Sequence, residues 1–456
     1  MTIRLTITAL ALAASMGPAA AREQARVTLQ VPATLLKGAQ PHATIDGLAP
    51  GQQVELETFR SEPVSIETNG QWSTLHPVYH AHATFGADRR GRVSVDTAMP
   101  MPGSTYTSAD PRGLLWSGRV AGRASEPAAE IADLKPGMVR WSVRIDGKQV
   151  ATAETALTKT LGGLRIERVD MPGLVGVYAA PAGARHASTL IYLHGSEGGT
   201  FKDAQAQAEL YASRGFASFA LIYFTWPYER IANAPAGFIN LPVERLDIAR
   251  QWLAQQAEAD PKTIAVVGAS KGAEFGLLGA SVYPWIDRLV ACVPSSLVWG
   301  GFGGDDAHEL PSFTQGGKAV PALAYGDYGP VLRHEILSVE RHRRDRLAAS
   351  NDTVAAATIP VERAKARILL LSGGHDAMWP SSPMAGEVVA RLRSMGLANR
   401  VQWRDFPDAG HFICGTGDAP TRYFDGDPVM NGGGTADGNG AAAGHAWDAT
   451  LAFLRN

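Results

Sequence analysis

The stretch TIAVVGASKGAEFGLLGA, residues Thr263–Ala280, holds Ser270 between Gly268 and Gly272. The apolar run before the serine is typical of a buried strand, and the residues after it favour a helix. A sharp turn between the two would lift the hydroxyl above a sheet, and small neighbours would let adjacent backbone pass without a clash. The pattern Gly-x-Ser-x-Gly is short, however, and the chain contains 49 glycines. An ordinary strand-to-helix turn is therefore an alternative that only the surrounding sequence can exclude.

The surrounding sequence alternates between strand-like and helix-like segments. Strand-like runs upstream are STLIYLHG (188–195) and FASFALIYF (216–224), and those downstream are RILLLSG (367–373) and RVQWRDF (400–406). Such alternation predicts a mainly parallel sheet covered by helices on both faces, with active residues at the carboxyl ends of its strands. We therefore predict an α/β domain over residues 163–456.

Residues 26–158 show a different period. Short alternating runs are separated by Gly, Pro and Asp, and Asp146-Gly147 between two such runs is a strong hairpin signal. Several strands at this spacing predict a small all-β, immunoglobulin-like sandwich domain that precedes the α/β domain. His80 and His82 would share one face of a strand, but no further metal ligands lie nearby in the sequence. We expect neither a catalytic set nor a metal site in this region.

The first residues have the layout of a secretory signal. Arg4 precedes a mostly apolar run from Leu5 to Met16, and Ala19–Ala21 provide an A-x-A cleavage site. The apolar run is too short to span a membrane. We therefore predict that residues 1–21 are a signal peptide and that the protein is exported, periplasmic or secreted, without a stable membrane anchor. An ordinary buried N-terminal helix is the alternative.

Composition narrows the range of partners. The chain has 42 basic and 44 acidic side chains and a formal charge of −2 at pH 7, so no global field favours nucleic acid or an anionic membrane surface. The only cysteines are Cys292 and Cys414, too few for a disulfide framework or a cysteine-rich zinc site. Whether these two pair is left open, as is the oligomeric state. We expect no metal and no nucleotide cofactor.

A nucleophilic serine requires a base, and the base requires a carboxylate that orients it. RILLLSGGHDAMWP places Asp376 just past one strand, and RVQWRDFPDAGHF places His411 in the loop after the next strand. The order Ser, Asp, His along the chain is that of α/β-hydrolases. Ser270, Asp376 and His411 are therefore the predicted catalytic residues. A helix cap at Asp376 and a surface-loop histidine at His411 are the alternatives.

Backbone amides must stabilise the oxyanion that forms when a serine attacks a carbonyl. Lys271 follows the nucleophile, and HGSEGG (194–199) resembles an HGGG-type oxyanion loop. We therefore predict donation by the amide of Lys271 and by that of Ser196 or Glu197, with a plain glycine turn as the alternative. The side chain of Lys271 is expected to pair with Glu274, one helical turn on.

Two segments are candidates for the substrate site. Tyr223, Phe224 and Trp226 follow a strand end and could line a binding pocket, or could pack beneath the long insertion at residues 299–362. That insertion could be a lid or a solvated excursion. Near the C-terminus, MNGGGTADGNGAAAG (430–444) is expected to be flexible from its composition, and a final helix is predicted near AWDATLAFLR (446–455).

Several motifs together carry a family resemblance. They are GLLW (113–116), HGSEGG, GASKGAE, IPVERAKARILLLSGGHDAMWPS (359–381), FPDAGHF (406–412) and AWDATLAFLR, in order across nearly all of the mature chain. The set resembles the acyl-CoA thioesterase and bile acid-CoA:amino acid N-acyltransferase (BAAT) family. The resemblance implies an N-terminal sandwich domain and a dienelactone-hydrolase-like α/β-hydrolase domain. It also implies that the family's nucleophile, acid and base fall on Ser270, Asp376 and His411.

The nucleophile bears on the reaction. The acyltransferase branch of that family usually carries cysteine, so Ser270 favours hydrolysis of a small-molecule acyl thioester or a related carboxylic ester. Transfer of the acyl group to an amine acceptor, and an exported esterase or peptidase activity, are the enzymatic alternatives. A catalytically silent binding protein is the alternative from another class.

Overall fold

The computed structural model describes residues 26–61, 64–68, 71–75, 77–121, 134–303, 310–421 and 432–456. The predicted signal peptide, residues 1–21, lies outside the described residues. None of the helices within these ranges combines the length and the apolar character that a bilayer crossing requires.

The N-terminal domain is the sandwich that the alternating runs predict. One sheet has the strand order β1-β3-β8 and the larger one β2-β11-β10-β4-β7-β9, while β5 and β6 form a separate hairpin. Buried side chains from both sheets, such as Ile45 and Trp141, belong to one hydrophobic cluster. The elements are β1 (Thr28–Gln30), β2 (Thr34–Leu36), β3 (Thr44–Asp46), β4 (Gln53–Ser61), β5 (Val64–Thr68), β6 (Gln71–Leu75), β7 (Val78–Gly86), β8 (Val93–Ser94), α1 (Gly113–Trp116), β9 (Arg119–Val120), β10 (Met138–Ile145) and β11 (Lys148–Thr158).

The predicted hairpin connects β10 and β11. Asp146 and Gly147 form its turn, and both have positive φ, +50° and +73°. Two consecutive left-handed residues match the twist of the flanking strands, which is why Asp-Gly marks this position in the sequence.

The C-terminal domain is built on an eight-stranded sheet with the order β12-β13-β15-β14-β17-β18-β21-β22. The first three strands in this order pair antiparallel, and from β15 onward every pair is parallel. The strands are β12 (Leu164–Met171), β13 (Leu174–Pro181), β14 (Ala187–Leu193), β15 (Ala217–Leu221), β16 (Leu241–Pro242), β17 (Ala259–Ala269), β18 (Ile286–Cys292), β19 (Phe313–Gln315), β20 (Lys318–Ala319), β21 (Arg367–Gly373) and β22 (Val401–Phe406), of which β16, β19 and β20 form a small separate sheet.

Helices cover both faces of the large sheet. Their bounds are α2 (Phe201–Ala212), α3 (Arg245–Leu253), α4 (Lys271–Val282), α5 (Gly329–Leu332), α6 (Ser338–Ala348), α7 (Asn351–Ala357), α8 (Ser381–Ser394) and α9 (Ala436–Arg455). Side chains of α3, α4 and α8 pack into the core on one face, and those of α2 and α9 pack on the other. The predicted α/β-hydrolase fold, preceded by an all-β sandwich, is confirmed.

The flexibility expected for residues 430–444 is wrong for the part of that stretch from Ala436 onward, because it forms the first half of α9. The Thr435 hydroxyl accepts a hydrogen bond from the Gly438 amide and caps the helix. Gly440 lies so close to the ring of Trp116 that a Cβ at this position would overlap it. The small residues therefore permit close packing between the two domains, where composition alone indicates a flexible segment.

The insertion at 299–362 packs onto the hydrolase domain. Its described parts contribute β19, β20 and the helices α5, α6 and α7. Trp299 and Leu323 are fully buried and cluster with Trp379, in the loop after β21, and with Met384 of α8. This segment is thus a cover over the carboxyl ends of the strands.

Candidate active site

Ser270 occupies a strained turn between β17 and α4. Its φ is +54° and its ψ is −119°, a conformation that non-glycine residues rarely adopt. A Cβ at Gly268 would overlap the backbone of Gly272, and a Cβ at Gly272 would overlap the carbonyl oxygens of Leu193 and His194. Both glycines are therefore required for close backbone approach around an elevated serine, which an ordinary strand-to-helix turn would not need.

The three predicted catalytic side chains form one hydrogen-bonded chain. The His411 Nε2 lies 3.0 Å from the Ser270 Oγ, and its Nδ1 lies 2.8 Å from the Asp376 Oδ2. The side chain of Asp376 is 1% exposed and that of His411 is 9% exposed. Sequence separations of 141 and 35 residues are bridged because all three residues follow strands that end at the same edge of the sheet.

The carboxylate of Asp376 accepts hydrogen bonds from three further donors. Its Oδ1 accepts from the amides of Met378 at 2.9 Å and Trp379 at 3.2 Å, and its Oδ2 also accepts from the Ser381 hydroxyl at 2.6 Å. The carboxylate therefore closes a local turn as well as facing His411. These bonds fix its rotamer.

The His411 loop is fastened at two points. Its amide donates to the Gly432 carbonyl at 2.8 Å, in the segment that precedes α9. Beyond the histidine, Cys414 forms a disulfide with Cys292 at the carboxyl end of β18. The pairing that the sequence leaves open is present in the structure, and it joins the loop to the strand beside the nucleophile.

The predicted oxyanion donors lie on either side of Ser270. Ser196 and Lys271 line the same cavity as Ser270, and within the described ranges neither backbone amide has a hydrogen-bond acceptor. Glu197 instead turns its carboxylate back, and its Oε1 accepts from the Gly195 amide at 2.8 Å. Ser196 lines the cavity and Glu197 does not, which favours Ser196 as the partner of Lys271.

The side chain of Lys271 pairs with Glu274, as predicted. The Nζ lies 2.7 Å from the Glu274 Oε2, and the two side chains are 3% and 0% exposed. The second oxygen of Glu274 accepts from the Trp299 amide at 3.1 Å. Burial lowers the pKa of Lys271 and raises the pKa of Glu274, and their mutual attraction opposes both shifts. Lys271 lines the cavity next to the nucleophile, and Glu274 lies behind it in the core.

The aromatic residues proposed for the pocket separate into two groups. Trp226 lines the cavity, but Tyr223 and Phe224 are fully buried and do not, so that part of the prediction is wrong. The chain after β15 runs beneath the oxyanion loop, where the Tyr223 hydroxyl donates to the His194 carbonyl at 2.9 Å. The Tyr223 ring also stacks on the His194 ring at 4.2 Å. These two residues support the loop from below, because the strand end turns them into the core.

A cavity of about 900 Å³ opens at Ser270, and most of its far wall comes from the insertion. The insertion's lining residues, none of which was predicted from the sequence, include Phe302, Tyr325, Tyr328, Ser338, Arg341 and His342. His342 lies in a charged segment, yet burial lowers its pKa to about 3 and its Nδ1–H donates to the Ser338 carbonyl at 2.8 Å. Only Val339 and His342 of α6 are buried, too few positions for a helical stripe to reveal the contact.

Metal chemistry has no site in the part of the chain that the structure describes. No group of three or more His, Cys, Asp or Glu side chains is close enough there to hold an ion. A serine, a histidine and a carboxylate in hydrogen-bond contact at the cavity form an arrangement suited to nucleophilic chemistry.

Strand order and local geometry together define the class of the C-terminal domain. An eight-stranded sheet with its third and fourth strands exchanged in order, and a strained serine after the central strand, is an α/β-hydrolase domain.

Two family models match the chain. One describes the acyl-CoA thioester hydrolase/BAAT N-terminal region and matches residues 39–172, and the other describes the BAAT/acyl-CoA thioester hydrolase C terminal and matches residues 242–456. The chain belongs to the acyl-CoA thioester hydrolase/BAAT family. The resemblance of the sequence motifs to this family is thereby confirmed.

Curated relatives match along most of the chain. Human acyl-coenzyme A thioesterase 2, mitochondrial, is 25% identical over 383 residues, covering 81% of this chain and 70% of its own. Mouse acyl-coenzyme A thioesterase 1 is 25% identical, with 81% coverage of each. Mouse acyl-coenzyme A amino acid N-acyltransferase 2 is 25% identical over 425 residues, covering 86% of this chain and 94% of its own. The family assignment therefore places the chain among enzymes that include both hydrolases and acyltransferases.

Solved structures similar to the chain cover about half to two thirds of it. A dienelactone hydrolase-like promiscuous phosphotriesterase from metagenomic libraries is 14% identical, covers 64% of this chain and 98% of its own, and has a TM-score of 0.40. An acetyl xylan esterase from Paenibacillus sp. R4 is 19% identical, covers 55% of this chain and 80% of its own, and has a TM-score of 0.36.

Proposed function

We propose that the protein hydrolyses acyl thioesters of the acyl-CoA type, or related carboxylic esters, through an acyl-enzyme formed on Ser270. The observation that carries the proposal is the hydrogen-bonded chain from Ser270 through His411 to Asp376, which opens into a cavity of about 900 Å³. Membership of a family that includes acyl-coenzyme A thioesterases supports the substrate class.

The reaction begins when His411 takes the proton of Ser270 through its Nε2 and the serine oxygen attacks the acyl carbonyl. Asp376 accepts from the Nδ1–H of His411, which keeps the other nitrogen free as a base and stabilises the imidazolium that forms. The backbone amides of Lys271 and Ser196 donate to the developing oxyanion. His411 then protonates the leaving thiolate. In the second half of the reaction, His411 takes a proton from a water molecule, which attacks the acyl-enzyme and releases the acid.

Ser270 supports hydrolysis over transfer to an amine. An acyl group on a serine oxygen forms an ester, whereas one on a cysteine sulfur remains a thioester and stays more reactive toward amines. The two outcomes share the same three side chains, so acceptor choice depends on what reaches the acyl-enzyme. We infer that water is that acceptor here.

We also propose that the protein is exported. The Arg4 charge, the following apolar run and the Ala19–Ala21 segment support a cleaved signal peptide. The Cys292–Cys414 disulfide supports the same compartment, since structural disulfides persist in oxidising surroundings. N-terminal sequencing of protein recovered from the culture medium or periplasm tests this, and an intact Met1 would contradict it.

The function is tested with the chain from Arg22 onward, assayed against acyl-CoA thioesters, aryl esters and aminoacyl amides. Ser270→Ala should abolish turnover, whereas Ser281→Ala, a matched change on α4 whose hydroxyl only caps the Leu278 carbonyl, should not. A fluorophosphonate should label Ser270, as mass spectrometry of the peptide would report. Unchanged turnover in Ser270→Ala would refute the mechanism, and amide products formed with an added amine would favour transfer.

A further inference from the structure

Arg341 lies in the wall of the same cavity as Ser270, on the helix α6 of the insertion. Its guanidinium carbon lies 4.5 Å from the ring centre of Tyr325 and 4.6 Å from that of Tyr328. The Nε of Arg341 is buried and has no hydrogen-bond partner. Within the described ranges the side chain forms no ion pair. A cation that carries no counter-charge thus faces the space where a substrate must lie.

The other arginines of α6 differ from Arg341 in this respect. Arg343 and Arg344 both reach Glu340, at 3.8 and 3.4 Å, and Arg346 reaches Glu387 at 2.8 Å. The remaining cation of the cavity wall, Lys271, is neutralised by Glu274. Arg341 is therefore the one α6 arginine whose charge is directed into the cavity and left uncompensated by the described residues.

Neither of two nearby carboxylates forms an ion pair with Arg341 within the described ranges. Asp327 also lines the cavity, but its Oδ1 accepts from the Gly329 amide at 2.8 Å. Asp345, one helical turn after Arg341, forms no ion pair with it, and its carboxylate packs against Gly326 instead. The N–H groups of Arg341 are therefore left available to a ligand by both carboxylates.

The setting of Arg341 suits an anionic oxygen group. A guanidinium stacked on aromatic rings keeps its N–H edge free, and that edge matches the geometry of a carboxylate or a phosphate. Leaving a buried N–H without an acceptor destabilises the empty protein, and an anionic ligand would relieve this penalty. We propose that the substrate carries a carboxylate or phosphate group that Arg341 binds while Ser270 attacks the acyl carbonyl. This inference rests on the proposed function.

The anionic group has two sources, the far end of the acyl chain or the leaving thiol. A set of four thioesters separates them: hexanoyl and adipoyl groups, each carried on uncharged N-acetylcysteamine or on CoA. Adipoyl differs from hexanoyl by a terminal carboxylate, and CoA differs from N-acetylcysteamine by its phosphates.

The variants to compare are Arg341→Gln and, as a matched control on the same helix, Arg343→Gln. Loss of a charge-assisted bond should lower kcat/KM by about 10- to 100-fold for the anionic substrates relative to their neutral counterparts in Arg341→Gln. A selective loss for adipoyl on both thiols assigns the group to the acyl chain, and a selective loss for CoA with both acyl groups assigns it to the leaving thiol. Arg343→Gln should leave all four values close to wild type.

Equal effects of Arg341→Gln on all four substrates, or no effect on any, would overturn the inference while Ser270-dependent turnover by the wild type left the proposed function standing. Absence of turnover with every substrate would instead count against the proposed function. Calorimetric binding of the same thioesters to Ser270→Ala, with and without Arg341→Gln, then tests the role of Arg341 independently of turnover. Loss of selective anion binding in the double variant supports it, and equal binding of charged and neutral thioesters overturns it.

Discussion

Cys292 and Cys414 form a disulfide that joins the strand beside the nucleophile to the loop that carries His411. The carbonyl of Cys292 accepts from the Ser270 amide at 2.9 Å, and Cys414 follows His411 by three residues. The bond spans 122 residues of sequence. It therefore ties the base and the nucleophile to the same strand end.

Removal of this disulfide should lower both stability and turnover. A cross-link that closes a loop of this length restricts the unfolded chain, and losing it typically costs about 2–5 kcal/mol. The double variant Cys292→Ala/Cys414→Ala should therefore unfold at lower urea concentration and show a reduced kcat. Wild type treated with dithiothreitol should behave like the double variant, which should itself be insensitive to the reductant. An unchanged urea midpoint after complete reduction would contradict the prediction.

Asp376→Asn should lower kcat by about three to four orders of magnitude, because an amide in this position favours the wrong histidine tautomer. The Asn side-chain oxygen can still accept from the amides of Met378 and Trp379, so the local turn should persist. Steady-state kinetics on wild type and variant measure the effect. Asp405→Asn is a matched control, since Asp405 lies on the outer strand β22 and accepts a hydrogen bond from the Ser372 hydroxyl on β21. A loss of similar size in the control would mean that the effect is structural.

Glu274→Gln should destabilise the protein by about 3–5 kcal/mol, because it leaves the Lys271 ammonium buried without its counter-charge. Adding Lys271→Met to this variant should restore much of the lost free energy of unfolding. Urea denaturation of the two single variants and the double variant forms the thermodynamic cycle. Additive losses in the double variant would show that the two side chains do not act as a pair.

Acid should destabilise the fold through His342. Burial lowers the pKa of His342 from 6.5 to about 3. As the pH falls, the unfolded chain therefore binds a proton at this residue near pH 6.5, whereas the folded chain binds it only near pH 3. Stability is therefore lost as the pH falls through the window from about 6.5 toward 3, by about 2 kcal/mol between pH 7 and pH 5 from this group. Burial of His194, which lowers its pKa to about 4, acts in the same direction.

The His342 contribution is measured by urea denaturation of wild type and His342→Gln at pH 7 and pH 5. Between pH 7 and pH 5, the free energy of unfolding of the variant should fall by about 2 kcal/mol less than that of the wild type. His334→Gln, a change at an exposed histidine in the same insertion, should follow the wild-type pH dependence. Parallel pH profiles for wild type and His342→Gln would show that His342 does not carry the effect.

Much of the framework could be read from the sequence because its signals are local. Alternating apolar runs predict the strands, Asp146-Gly147 predicts a hairpin, and the small residues around Ser270 predict a strained turn. The chain order of Ser270, Asp376 and His411, each at a strand end, predicts their convergence, because parallel strands end at the same edge. The structure brings all three within hydrogen-bond distance.

The predictions from sequence that proved wrong concern segments whose composition is compatible with two different structures. Glycine and alanine around residues 436–444 are typical of flexible segments, yet they also allow a helix to approach Trp116 closely. Tyr223 and Phe224 are suited to a pocket or to a core, and the turn after β15 places them in the core. In both cases the deciding contact comes from a residue distant in sequence.

The sequence by itself determined the two-domain division, the parallel sheet with its covering helices and the positions of the three juxtaposed side chains, because these depend on local periodicity and on order along the chain. Only the tertiary structure decided that Cys292 meets Cys414, that the insertion forms the far wall of the cavity, and that Arg341 faces it without a counter-charge. Such contacts depend on how distant segments pack against one another, and no local pattern in the chain specifies that packing.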